Sequence, residues 1–133
     1  MNPLFADTVY FLALLNLADQ SHNQAKMLSQ EALGPMLTSE FVLLEVGDAL
    51  SRPGNREKFI RLQELLQSQA DVEIVSVSSE LYHRGCELYA QRNDKDRSLT
   101  DCTSIVLMME RGIDRVLSSD HHFEQAGFKL LMA

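Results

Sequence analysis

Four carboxylates stand where side chains could do chemistry: Asp7 in LFAD, Glu45 in TSEFVLLEVGDAL, Asp101 in SLTDCTSIVLMMERG and Asp120 in VLSSD. Asp7 closes an apolar run that reads as a strand, and TVYFLALL follows it as a helix. Asp101 opens one of the most apolar segments of the chain, and Asp120 stands between the strand-like RVLSS and HHFEQAGF. Glu45 falls mid-helix, with Phe41 and Val42 a turn before it and Ala49 a turn after, which puts a carboxylate on an apolar face. No Lys or Arg lies three or four residues away to offset that charge.

Each acid also has a local explanation. Asp7 and Asp120 suit helix N-caps, a role worth about 1 kcal/mol. Ser98 and Asp101 match the S-x-x-[DE] capping box, and Glu45 could reach the rim of the core. The set changes the balance. In open α/β sheets ligands collect beyond the carboxyl ends of the strands, and three of these acids follow strand ends or open helices there. Carboxylates brought together raise one another's pKa values unless a divalent ion neutralises them, and hard oxygen ligands suit Mg²⁺ or Mn²⁺.

The elements that must position these acids alternate along the chain. LFA, PMLT, VEIVSV, RVLSS and FKLLM read as strands. Helices are expected at 9–15, 22–33, 39–50, 56–69, 79–92 and 99–111, with a short one after Asp120. Gly34-Pro35, SRPGNR and Gly112 after Arg111 supply the breaks. The alternation predicts an α/β fold with a parallel sheet covered on both faces. With 133 residues, no internal repeat and no dividing linker, residues 1–133 are expected to form one domain.

Composition narrows the function. Nineteen acidic against twelve basic side chains give a formal charge of −7, which opposes a general polyanion-binding surface. A nucleic-acid substrate would need a metal or a local patch, for which SRPGNREKFIR offers Arg52, Arg56, Lys58 and Arg61, with Lys95 and Arg97 on another loop. A solvated helix face paired with Glu57 and Glu64 explains the first group equally well. The N-terminal stretch has no basic leader region and Asp7 interrupts its apolar residues, so neither a secretory signal nor a membrane span is expected, and the cytoplasm is. Cys86 and Cys102 lack zinc-site spacing, and Cys102 suits a packed, reduced thiol. His121 and His122 lack H-x-x-x-H spacing and, as helix neighbours, point about 100° apart, so they carry little weight as zinc ligands or general base.

The ordered segments FADTVYFLALL, TSEFVLLEVGDAL, DKDRSLTDCTSIVLM and VLSSDHHFEQAGF resemble the PIN-domain ribonucleases, especially the toxin-like type typified by VapC, over essentially the whole chain. The resemblance implies a three-layer α/β/α sandwich around a parallel sheet of about five strands. It also implies Mg²⁺- or Mn²⁺-dependent cleavage of RNA phosphodiester bonds by an acidic quartet that falls on Asp7, Glu45, Asp101 and Asp120. The family's hydroxyls next to the acids fall on Thr8 and Ser118, to hold water or orient a carboxylate. Asp96 is a candidate accessory acid. Arg97 departs from the pattern, since related sequences commonly carry an aromatic before SLTD.

In metal-assisted phosphodiester cleavage the ions polarise the phosphate and activate water, so no Ser-His-Asp or Cys-His arrangement is needed, and none is apparent. The resemblance further implies the toxin of a toxin-antitoxin pair, a small antitoxin whose tail occupies the acidic groove, and a homodimer. The apolar helix after Asp101 is either deeply packed or half of a dimer contact. Three other readings stay open. A catalytically idle PIN-like module would bind metal without turnover. A structure-specific DNA nuclease would use the same chemistry on another backbone. A phosphoacceptor domain would want an acidic pair at the first strand end and a later Lys, which FADT and VLSSD do not provide.

Overall fold

The computed structural model describes residues 2–93 and 95–133. Among these, five strands and seven helices follow in the order β1 (Leu4–Ala6), α1 (Thr8–Leu15), α2 (His22–Ser29), β2 (Met36–Ser39), α3 (Glu40–Ala49), α4 (Arg56–Ser68), β3 (Val72–Val75), α5 (Ser79–Gln91), α6 (Leu99–Arg111), β4 (Arg115–Leu117), α7 (His121–Gln125) and β5 (Lys129–Leu130). The strands form one sheet in the order β3-β2-β1-β4-β5, and every pairing is parallel. The expected α/β fold with a five-stranded parallel sheet is what the chain adopts.

The central strand is apolar throughout because both of its faces are covered: Leu4, Phe5 and Ala6 are all buried. Phe11 of α1 and Phe123 of α7 are also sealed in the core. Burying such a side chain fully contributes about 1.5–3 kcal/mol.

The helix starts are fixed by short polar side chains. Ser39 Oγ accepts from Val42 N at 3.1 Å and Ser78 Oγ from Leu81 N at 3.0 Å, opening α3 and α5. At the other end of α6, Gly112 takes φ 66°, a left-handed conformation that a side chain would disfavour. Helix α2 ends at Ser29, earlier than its apolar pattern predicts. The chain beyond it must cross to β2, and there the Leu33 carbonyl accepts from Arg115 Nη2 at 3.1 Å instead of continuing a helical ladder. The strands end one or more residues short of their apolar runs at β3, β4 and β5.

Helix α6 buries Asp101 through Ile105 together with Leu107 and Met108, so its apolar run is used inside the fold; only Met109 and its neighbours at the C-terminal end lie exposed. It packs closely on α5, where a Cβ added to Gly85 would come within 2.7 Å of Thr103 Cγ2. Cys102 is buried and Cys86 half-buried, both as free thiols. Among the described residues, no helix is long and apolar enough to cross a membrane.

Candidate active site

The sheet order reverses at β1. The chain moves outward from β1 to β2 and β3, then returns to β4 on the other side. A crevice opens beyond the carboxyl ends of strands at such a switch point, and Asp7 and Ser118 follow β1 and β4 there. The register pairs Ala6 with Leu117, and Asp7 N donates to Leu117 O at 3.2 Å. This carries Asp7 alongside Ser118, whose Oγ donates to Asp7 Oδ2 at 2.9 Å and accepts from Asp120 N at 3.0 Å.

The local caps anticipated from sequence are present. Asp7 Oδ2 accepts from Val9 N at a long 3.5 Å, and Asp120 Oδ1 from His122 N at 3.0 Å. Ser98 and Asp101 form the reciprocal capping box: Asp101 N donates to Ser98 Oγ at 3.0 Å and Ser98 N to Asp101 Oδ2 at 3.3 Å. A carboxylate offers about four lone-pair positions, so a cap does not exhaust it. Glu45 reaches the same edge from α3, and Thr8 Oγ1 donates to its Oε1 at 2.5 Å.

Electrostatics ties the quartet together. Burial pushes the Asp7 carboxyl up to about 7; the Ser118 hydrogen bond pulls it down and Asp101 pushes it further up. Asp101 is raised by burial, then by the charges of Asp120 and Glu45, against the lowering effect of Ser98. Asp7 and Asp101, held up by neighbouring carboxylates as well as by burial, require a counter-charge when ionised. Asp101, Asp120 and His122 each present a donor atom, all within 4.8 Å of one another. A half-buried set of hard oxygens with one imidazole nitrogen fits a small divalent cation.

His122 is the residue that sequence reasoning underweighted. Adjacent histidines do diverge as helix geometry requires: the side chain of His121 is 68% exposed and that of His122 only 16%. The consequence is that one of the pair faces the acids. Its Nδ1 lies 3.1 Å from Asp120 Oδ1 and 3.7 Å from Asp101 Oδ2, yet it is sealed from solvent and makes no hydrogen bond. The signal was in the cap: Asp120 at the N-cap holds the His122 N–H, while Phe123 anchors the turn in the core.

Other expected site residues fall elsewhere. Asp96 is exposed and has no hydrogen bond or ion pair among the described residues. Arg97 is buried, not on the surface, so it offers no open phosphate contact. Lys95 is half-buried. Arg52, Arg56, Lys58 and Arg61 are exposed, with Arg56 Nε donating to Ser51 O at 2.5 Å and Arg61 Nε 3.3 Å from Glu57. Lys58 and Arg61 line a cavity of about 930 Å³ whose walls include Leu14, Leu28, Leu62 and Leu65 and none of the four acids. Lys58 and Arg61 of α4 thus border an apolar groove separate from the carboxylates. Cys102, behind Asp101, has its thiol pushed up by burial first and then by Asp101, which keeps it protonated and inert.

Comparison with known proteins agrees with this geometry. The model of the PIN domain family matches residues 4–129. The chain is 28% identical over 125 residues to the 23S rRNA-specific endonuclease VapC20 of Mycobacterium tuberculosis, covering 94% of this chain and 95% of that one. The crystal structure of that protein, described as a sarcin-ricin loop cleaving toxin, superposes with a TM-score of 0.87 at 25% identity over 98% of this chain and 99% of the other. A DNA-bound VapBC complex from Salmonella typhimurium shares the fold with a TM-score of 0.66 at 14% identity, covering 98% and 97% of the two chains.

Proposed function

The chain belongs to the PIN-domain family, and on that premise we propose that it is a divalent-metal-dependent endoribonuclease, the toxin of a toxin-antitoxin pair. The observation that carries this reading is the convergence of Asp7, Asp101 and Asp120, with Glu45, at the sheet's switch point.

Asp7, Asp101 and Asp120 hold the cation, Mg²⁺ or Mn²⁺, and Glu45 acts as a further ligand or orients water. When bound, the cation supplies neutralisation of the scissile phosphate and activation of water. The remaining parts are those of the chain itself. Ser118 fixes the spacing of Asp7 and Asp120 through one hydroxyl. Thr8 holds Glu45 through Oε1, and the second carboxylate oxygen is left without that bond. The capping box fixes the backbone at Asp101. Pre-set ligands of this kind need little rearrangement on binding metal and substrate.

VapC20 acts on 23S rRNA, and structured ribosomal RNA is the substrate class proposed here, with activity in the cytoplasm. Among the expected cations, Lys95 lies on the loop that leads into Asp101, and it is the one proposed to contact the RNA backbone. VapBC assemblies among the similar structures support an antitoxin partner. The apolar groove between α1, α2 and α4, rimmed by Lys26, Lys58 and Arg61, suits an amphipathic helix carrying acidic residues. A homodimer is retained from the family resemblance, and residues 1–133 are taken as one PIN-like unit.

The test is cleavage by purified, antitoxin-free protein of an RNA pool containing 23S rRNA and, in parallel, of a DNA pool. Each is run with Mg²⁺, Mn²⁺ or EDTA. Metal-dependent cuts in RNA are expected. Cuts confined to DNA would assign a DNA nuclease, and metal binding without cleavage of either would assign an idle binding module.

A further inference from the structure

We infer that His122 is a nitrogen ligand of the bound cation, so that the centre is a mixed carboxylate-imidazole site selective for transition-metal ions over Mg²⁺. The inference rests on the metal-dependent reading above.

Three observations converge. The first is placement. His122 Nδ1 stands 3.1 Å from Asp120 Oδ1 and 3.7 Å from Asp101 Oδ2. Neighbouring ligands in an octahedron of radius about 2.1 Å are about 3.0 Å apart, so the first separation is that of two groups on one small cation. The second is need. Nδ1 is sealed from water and has no hydrogen-bond partner, and a buried polar atom left in that state is costly. Asp120 Oδ1 is close enough, but the contact lacks hydrogen-bond geometry, and that oxygen's directed bond goes to the His122 backbone N–H at 3.0 Å. A cation between the ring and the acids satisfies the nitrogen and both carboxylates together.

The third is rigidity. Asp120 caps the helix that carries His122, Phe123 fixes the next position in the core, and the His121 ring lies against the His122 ring with centroids 4.5 Å apart. A ring held in this way presents the same edge to the acids without paying rotamer entropy on binding. Imidazole suits transition-metal ions, whereas carboxylate and water suit Mg²⁺, so one nitrogen shifts selectivity away from Mg²⁺.

The test uses Mn²⁺ as the probe on the full-length protein. Electron spin-echo modulation of bound Mn²⁺ reports a directly coordinated nitrogen. The expected result is ¹⁴N modulation in the wild type that converts to ¹⁵N when the protein carries ¹⁵N-histidine, persists in His121→Gln and disappears in His122→Gln. Mn²⁺ affinity should fall about tenfold in His122→Gln, with a smaller change for Mg²⁺. If His122→Gln does not fold, ¹⁵N-histidine labelling of His121→Gln decides the matter, because His122 is then the histidine that faces the acids. Bound Mn²⁺ without histidine coupling would overturn the ligand role and leave the nuclease reading intact. Wild-type protein that binds no Mn²⁺ would overturn both.

Discussion

Ser118 Oγ donates to Asp7 Oδ2 at 2.9 Å, joining residues 111 positions apart in the chain. The same oxygen accepts the Asp120 N–H at 3.0 Å, so one hydroxyl sets two of the acids relative to each other. Ser118→Ala removes a donor from a buried carboxylate, which should cost about 1–3 kcal/mol in denaturant unfolding at a pH where Asp7 is ionised. That hydrogen bond also holds the Asp7 pKa down. Its loss should move the rise of cleavage with pH to higher pH, which a pH–rate profile checks.

Asp7 makes the metal-free protein sensitive to pH. Its carboxyl is raised from 3.8 to about 7 in the fold, so folding favours the protonated form. The associated stability is complete below about pH 4 and is lost as pH rises through about 7. The full displacement corresponds to roughly 4 kcal/mol as an upper bound. Denaturation in EDTA should show wild-type stability falling across that window, with the Asp7 contribution to the slope absent in Asp7→Asn. Adding Mn²⁺ should restore wild-type stability at pH 8 and do little for the variant, because the ligand must be deprotonated to bind.

Thr8 acts through Glu45. Thr8→Val keeps the shape and removes the hydrogen bond to Oε1. Cleavage should drop roughly tenfold to a hundredfold, the equivalent of one hydrogen bond to a charged group. Thr8→Ser should retain most activity. Equal rates for Thr8→Val and wild type would show that Glu45 needs no such positioning.

Gly85 sets how closely α5 lies on α6, the helix that Asp101 opens. A Cβ there would meet Thr103 Cγ2 at 2.7 Å, and Thr103 cannot swing aside easily because its Oγ1 donates to Thr100 O at 2.7 Å. Gly85→Ala should destabilise by about 1–3 kcal/mol, measured by thermal or denaturant unfolding.

The sheet was legible because each strand is a short apolar run with a helix on either side, and a parallel sheet buried on both faces leaves that pattern. Asp7, Asp101 and Asp120 were legible because a strand end or a helix start fixes a residue's place before any tertiary contact is known. Glu45 was legible as a charge on an apolar face. What escaped sequence reading depends on long-range packing. Arg97 is buried, although arginine seldom is. His122 faces the acids because of the direction in which α7 leaves its cap. Arg61 pairs with Glu57 as the solvated-face reading had it; the apolar groove beside it, assembled from three helices, was not readable from sequence.

The most direct test of the account is Asp101→Asn, assayed on RNA with Mn²⁺ alongside metal-binding and unfolding measurements. The amide keeps an oxygen for the Ser98 N–H, so the capping box survives, while the charge that Asp120 and Glu45 oppose is removed. The account predicts a protein at least as stable as wild type in EDTA, with Mn²⁺ binding weakened and RNA cleavage lost by a factor of a hundred or more, the scale seen when one preorganised electrostatic group is removed. A folded Asp101→Asn protein that cuts RNA at the wild-type rate would contradict it.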